Sequence, residues 1–301
     1  MNAFTWVILI AGIVFFGIQA VALKKIKVTS LRENILSTAL FSTVVAVGFW
    51  IFTLASGGSI RPATFGFGVL FGVVFIATIT TYYYALHTGP MSYTSFFYTA
   101  SLIIPSLAGM IIWHEGVRWV VLCGIALFLI AFFLITIPGA EKGRKINKKW
   151  MVLCLITCVL NGSLSVIVKA QQMTVGGEAS SMTTIAFTSA AILCFLAYFI
   201  LCVAKKSNIT IGQDMKHMIG SYTIPLLAMA IGNGGGNFVL TYLSAPETGV
   251  PAAVLFPVVQ GGMMIAVTAY SVLLLKEKIN TWGIIGIVTG LVALIVINLP
   301  F

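Results

Sequence analysis

The chain has 301 residues, of which 59% are hydrophobic and only 8% charged, with a mean hydropathy of +1.08. No water-soluble core of that size buries so much apolar side chain, so a soluble globular fold is excluded and the bilayer must act as solvent. The formal net charge of +10 would suggest a nucleic-acid partner in a soluble protein; here its placement along the chain carries the meaning, and no nucleic acid is expected.

One helical span needs about 20 predominantly apolar residues. Ten such runs follow one another, near 4–23, 35–56, 64–86, 91–113, 118–138, 150–170, 182–204, 219–243, 250–275 and 281–300. A membrane barrel would instead alternate apolar and polar residues in ten-residue segments, which are absent. The first run ends in Leu23-Lys24-Lys25 rather than a small-residue cleavage site, so it reads as a retained helix and not a signal peptide. Fourteen of the 17 lysines and arginines fall in the odd-numbered loops, against Arg61, Arg118 and Lys169 elsewhere. The positive-inside rule then makes those loops cytoplasmic and both termini external, in a multi-pass protein of the cell (cytoplasmic) membrane. The basic stretch 141–149 separates a first unit of five spans, 1–140, from a second, 150–301; it reads as a solvated topology anchor. Cys123, Cys154, Cys158, Cys194 and Cys202 all fall within spans and read as small packing residues. No His or carboxylate stands beside Cys154 and Cys158, so neither a metal nor a cofactor is expected.

The two units repeat one another in order. Gly72, Thr81, Tyr82, Ala85, Thr88 and Gly89 recur 160 positions later as Gly232, Thr241, Tyr242, Ala245, Thr248 and Gly249. Gly17, Val21 and Lys24 recur as Gly162, Val166 and Lys169, and Glu115, Gly124 and Ile125 as Glu277, Gly286 and Ile287. An odd number of helices per copy inserts the second upside down, so the expected fold is all-α, ten transmembrane helices as two inverted five-helix repeats.

The run Thr248-Gly249-Val250-Pro251-Ala252-Ala253-Val254-Leu255-Phe256-Pro257, the segment Leu275-Lys276-Glu277-Lys278-Ile279-Asn280 and the last span from Gly283 to Asn298 resemble the drug/metabolite transporter superfamily, its EamA-like ten-helix branch above all. Tyr84-Ala85-Leu86 and Trp113-His114-Glu115 echo the same pattern in the first unit. The resemblance implies spans 1–4 and 6–9 around a central cavity, with spans 5 and 10 flanking it. It also implies cytoplasmic termini, the opposite of the charge bias. Gly286 and Gly290 match the small-residue pair of related small multidrug resistance proteins, whose last helix meets a partner subunit. In a duplicated chain span 5 meets that surface instead, so a monomer is expected, with a dimer through spans 5 and 10 as the alternative.

Polar side chains inside hydrocarbon are costly and face a cavity or a partner. The candidates for substrate contact are Gln19 in span 1, Tyr82 in span 3, Tyr98 in span 4, Asn161 in span 6, Asn233 and Asn237 in span 8, and Gln260 in span 9. Asn233 and Asn237 share a helix face and flank Gly234-Gly235-Gly236. Three glycines in a span favour a local break that opens the backbone to substrate; the alternative is a tight helix crossing without ligand. Tyr82-Tyr83-Tyr84 reads as an interfacial belt, whereas Tyr98 lies deeper. Pro105 and Pro257 are candidate hinges or simple kinks. His87 and Glu247, after spans 3 and 8, are candidates for gating or coupling, against a reading as solvated loop residues. Lys24 and Lys169 are expected to snorkel to their interfaces.

All seven acids fall in loops or at span ends, and span 1 carries Gln19 where related multidrug antiporters carry a buried glutamate. Proton exchange at a midplane carboxylate is therefore not expected, and a neutral or zwitterionic metabolite fits better than a lipophilic cation. No nucleophile–base pair or metal cluster points to an enzyme. The expected function is secondary transport of small polar or zwitterionic metabolites by alternating access. The alternative is a lipid-carrier flippase or a non-transporting membrane partner or sensor on the same fold.

Overall fold

The computed structural model describes residues 3–89, 91–116, 119–136, 148–204, 211–273 and 281–297; the basic segment 141–147 and the Lys276-Glu277-Lys278 run lie outside them. Among the described residues the chain is helical throughout, apart from turns and one 3₁₀ turn at Pro246–Thr248, with no strand. The helices are α1 (Ala3–Lys25), α2 (Leu31–Ala55), α3 (Pro62–Thr88), α4 (Met91–Ala100), α5 (Ile103–Ile112), α6 (Trp119–Thr136), α7 (Lys148–Thr174), α8 (Ala179–Ala204), α9 (Ile211–Leu243), α10 (Ala252–Leu273) and α11 (Thr281–Ile297). Six of them are long and apolar enough to cross a membrane; the remaining apolar helical stretches are shorter, at Phe97–Ile112, Trp119–Leu134, Ala252–Val267 and Thr281–Ile297. The fold fits a multi-pass membrane protein.

Local chemistry sets the ends. Ser30 caps α2 by accepting the Glu33 N–H at 3.2 Å, and the Glu33 carboxylate reaches back to Thr29 N–H at 2.7 Å, which satisfies amides that a helix start leaves bare. Pro62 opens α3, where its missing N–H costs nothing. The sequence predicts one helix over 91–113, and the structure splits it into α4 and α5 at Ser101-Leu102. Pro105 explains the split: it cannot donate to Ser101, and its ring crowds that carbonyl. By contrast, α10 stays helical through Pro257. The other kink is in α9, where Tyr222 takes φ −130° and ψ 18° three residues before Pro225.

The helices pair reciprocally between the two halves. α1 packs on α9 as α7 packs on α3; α2 packs on α9 as α8 packs on α3; α1 packs on α10 as α7 packs on α4 and α5. The pairs α2–α8, α6–α11 and α5–α10 join like to like across the halves. One apolar cluster joins α2, α3, α8 and α9, with the Phe71, Phe75 and Phe187 rings 5.9–6.1 Å apart. A second joins α1, α6, α10 and α11 through Leu9, Phe128, Phe132, Phe256 and Ala293. The outer surface is itself apolar, with Ile51, Leu54, Ile111, Val203 and Ile224 exposed, as lipid contact requires. A Cβ on Gly290 of α11 would lie 3.5 Å from Ala131 of α6, so this small-residue face is met within the chain.

Candidate functional site

Gly232, Gly234, Gly235 and Gly236 of α9 serve helix crossing, not helix breaking. α9 runs unbroken through Gly232–Asn237, which corrects the expectation of a local break: the backbone bonds survive because α1 fills the space that side chains would take. A Cβ on Gly232 would lie 2.5 Å from both Gln19 N and Phe15 O, and on Gly235 and Gly236 it would meet the rings of Phe15 and Phe16 at 2.7–2.8 Å. Asn233, buried, and Asn237 stand beside this crossing and bond each other: Asn237 Nδ2 donates to Asn233 Oδ1 and to Asn233 O, both at 2.9 Å. Gln19, whose backbone touches Gly232, has a buried side-chain carbonyl with no hydrogen-bond partner among the described residues. Such an orphan acceptor is costly in hydrocarbon.

A second group forms at the α4–α5 break. Asn161 of α7 donates to Tyr98 O at 3.1 Å and to Ser101 Oγ at 2.6 Å. Ser101 Oγ donates to Tyr98 O, and Ser106 Oγ to Leu102 O. At Tyr98 side chains thus satisfy a carbonyl that the break frees from the helix ladder, since Leu102 N–H turns to Thr99 O. Tyr82 joins this group, with its ring 4.6 Å from that of Tyr98. Thr157, one turn before Asn161, has a buried hydroxyl without a partner among the described residues.

The structure therefore brings Asn233 and Asn237 together, next to the crossing at which the Gln19 backbone meets Gly232, and separately Tyr82, Tyr98 and Asn161. Gln260 is half-buried on α10 and makes no hydrogen bond among the described residues. His87 is not a loop residue without a partner: it lies in the last turn of α3, its Nδ1 2.9 Å from Tyr83 O and its ring against Tyr83. Glu247 is exposed in the 3₁₀ turn.

Two polar clusters escape the sequence reading, both at the end where α7 finishes. Lys169 does not snorkel outward: it is 3% exposed, with Nζ 2.8 Å from Glu115 Oε1, while Glu115 Oε2 accepts the Ala252 N–H at the start of α10 at 2.7 Å. The carboxylate thus satisfies a bare helix-start amide and meets the positive end of a helix dipole. Nearby, Glu178 is buried and accepts from Ser59 Oγ at 2.8 Å, Thr64 Oγ1 at 2.5 Å and Arg61 N at 3.2 Å, with Arg61 Nε 3.4 Å away. Gln171 donates to Thr64, and Gln172 to Gln171. Among the described residues the acids do lie at helix ends or in turns, as expected, but Glu178 is buried there and Glu115 half-buried; Glu141 and Glu277 lie outside the described residues. A lysine inside an apolar run, with an acid at the same predicted membrane face, was the signal for the first cluster.

Burial alone would raise the Glu178 carboxyl, but hydrogen bonds from Thr64, Ser59 and Arg61 and the Arg61 charge outweigh it and hold the group below the usual range. A depressed folded pKa stabilises the fold above the unfolded value, and that contribution is lost as pH falls through the folded value. Between about pH 5 and pH 3 the melting temperature in detergent should therefore fall more steeply for the parent than for Glu178→Gln; parallel curves would refute it.

Two apolar clefts flank α1. One, about 590 Å³, opens between α1, the kinked part of α9 and the far end of α10, with Lys25 and Tyr270 on its wall. The other, about 570 Å³, lies between the first half of α1, α2 and α9, walled by Phe4, Phe49, Phe52 and Phe238.

No family model and no curated protein matches the chain. Among 28 matching solved chains, one described only as "Crystal structure of protein" superposes with a TM-score of 0.77 over 99% of this chain and 97% of its own, at 15% identity. That likeness establishes a shared fold.

Proposed function

We propose that the protein is a secondary transporter that moves small polar or zwitterionic metabolites by alternating access, built as ten helices in two inverted five-helix repeats. The reciprocal pairing of the halves carries this reading. When the main packings of one half recur with the halves exchanged, a form closed at one end has a counterpart of similar energy closed at the other. The ends of α10 differ in keeping with one such form: its start is bonded to Glu115, while its far end is parted from α1 by the 590 Å³ cleft. Recognition falls to neutral amides, hydroxyls and rings: Asn233, Asn237 and Gln19 on one side, Tyr82, Tyr98 and Asn161 on the other. These suit a polar, uncharged or zwitterionic solute.

A lipid-carrier role is the second reading, favoured by one observation: both clefts are apolar and lateral, and the larger has Lys25 on its wall. A thermal-shift screen of the purified protein against metabolites and phospholipids, followed by flux in proteoliposomes for each hit, separates the two. We expect a water-soluble hit whose flux falls at least tenfold in Asn233→Ala or Asn237→Ala. Unchanged binding and flux in both variants would remove the α9 amides from the site, and stabilisation by lipids alone would favour the carrier.

A further inference from the structure

We propose that the Glu115–Lys169 pair is the releasable latch of one end of the protein, and that the element it frees is α5, swinging about the break at Ser101-Leu102. This rests on the alternating-access reading and adds which contact parts and which element moves.

The geometry isolates α5. It is ten residues long, severed from α4, and packed chiefly on α7 and α10. Just past its end, Glu115 bonds those same two helices, through Lys169 of α7 at 2.8 Å and the Ala252 N–H of α10 at 2.7 Å. The turn that delivers it is specialised: His114 takes φ 50°, a left-handed conformation unusual for a side-chain-bearing residue, and Glu115 N–H bonds back to Gly109 O at 3.1 Å. Gly109 leaves the room, since a Cβ there would lie 2.5 Å from Glu115 Oε2 and 2.8 Å from Ala252 Cβ. One carboxylate thus fastens the free end of a hinged segment to both of its neighbours.

The chemistry suits reversible closure. A buried ion pair gains strong attraction but forgoes hydration, so the two nearly cancel. If α5 swings outward, water reaches both charges at the mouth and replaces the pair. At the other end of α5, the Tyr98 carbonyl, freed from the ladder because Leu102 N–H turns to Thr99 O, bonds to the side chains of Ser101 and Asn161, which can follow a change of angle more readily than a helix ladder.

The test reads accessibility and needs no substrate. Ala253→Cys places a thiol at a position that is 0% exposed beside the latch. Its reaction with a membrane-impermeant maleimide is followed site by site by mass spectrometry in proteoliposomes. In Glu115→Ala/Lys169→Met, which removes both charges, we expect labelling at least tenfold faster than in the parent pair. The buried native thiols of Cys154 and Cys194 should stay protected. Glu115→Gln, which keeps the acceptor for Ala252 and loses the charge, should fall between. Equal rates in parent and both variants would overturn the latch. So would Cys154 and Cys194 becoming labelled in step, because the pair would then be holding the whole fold. Accelerated labelling with no flux of any solute would leave the latch standing and sink the transport reading.

Discussion

Glu115→Ala is expected to destabilise the protein by about 3–5 kcal/mol, the cost of leaving a buried charge unpaired. Lys169 is 3% exposed and has the Glu115 carboxylate at 2.8 Å as its counter-charge. Removing the acid strands an ammonium inside the bundle and also strips the acceptor from the Ala252 N–H. The double variant Glu115→Ala/Lys169→Met removes the stranded charge and should recover most of that loss. Thermal or denaturant melting of purified protein in one detergent checks both halves of the statement. Equal losses in the single and double variants would mean that charge burial is not the cause.

Gly232→Ala carries the second large effect. Its new Cβ would sit 2.5 Å from two backbone atoms of α1, Gln19 N and Phe15 O, and backbone cannot rotate aside as a side-chain tip can. Overpacking of this kind costs about 1–3 kcal/mol, so α1 must shift off α9. Gly17→Ala makes the control, because nothing lies within 4 Å of its Cβ; with only helix propensity at stake, it should leave stability unchanged or raise it by up to about 1 kcal/mol. Melting curves in which the two variants behave alike would contradict the close crossing.

Six of the ten apolar runs were legible as membrane-length helices, because hydrocarbon thickness imposes a length that such runs report directly. The single run at 91–113 concealed two helices: hydropathy does not register a broken backbone, and Pro105, though visible, stands beside the break and not in it. Sequence marked the glycine run as unusual but could not tell break from crossing, since the deciding partners, Phe15, Phe16 and Gln19, lie more than 200 residues earlier. Asn161 was legible as an expensive polar residue; that it serves the carbonyl of Tyr98 depends on how α7 meets α4. Lys169 and Glu115 each resembled an ordinary charge near a membrane face. Their burial is a property of three helices meeting, and no local pattern encodes it.

The crossing of α1 on α9 has a mechanical corollary. α1 crosses α9 closely between Gly12 and Gln19, and an open cleft lies along α1 toward each end, bounded by α10 on the Lys25 side and by α2 on the Phe4 side. A beam held at its middle moves its ends oppositely. A tilt of α1 about that crossing therefore changes the width of both clefts together. Where lipid chains fill such apolar clefts, that motion would be coupled to the membrane around the helix.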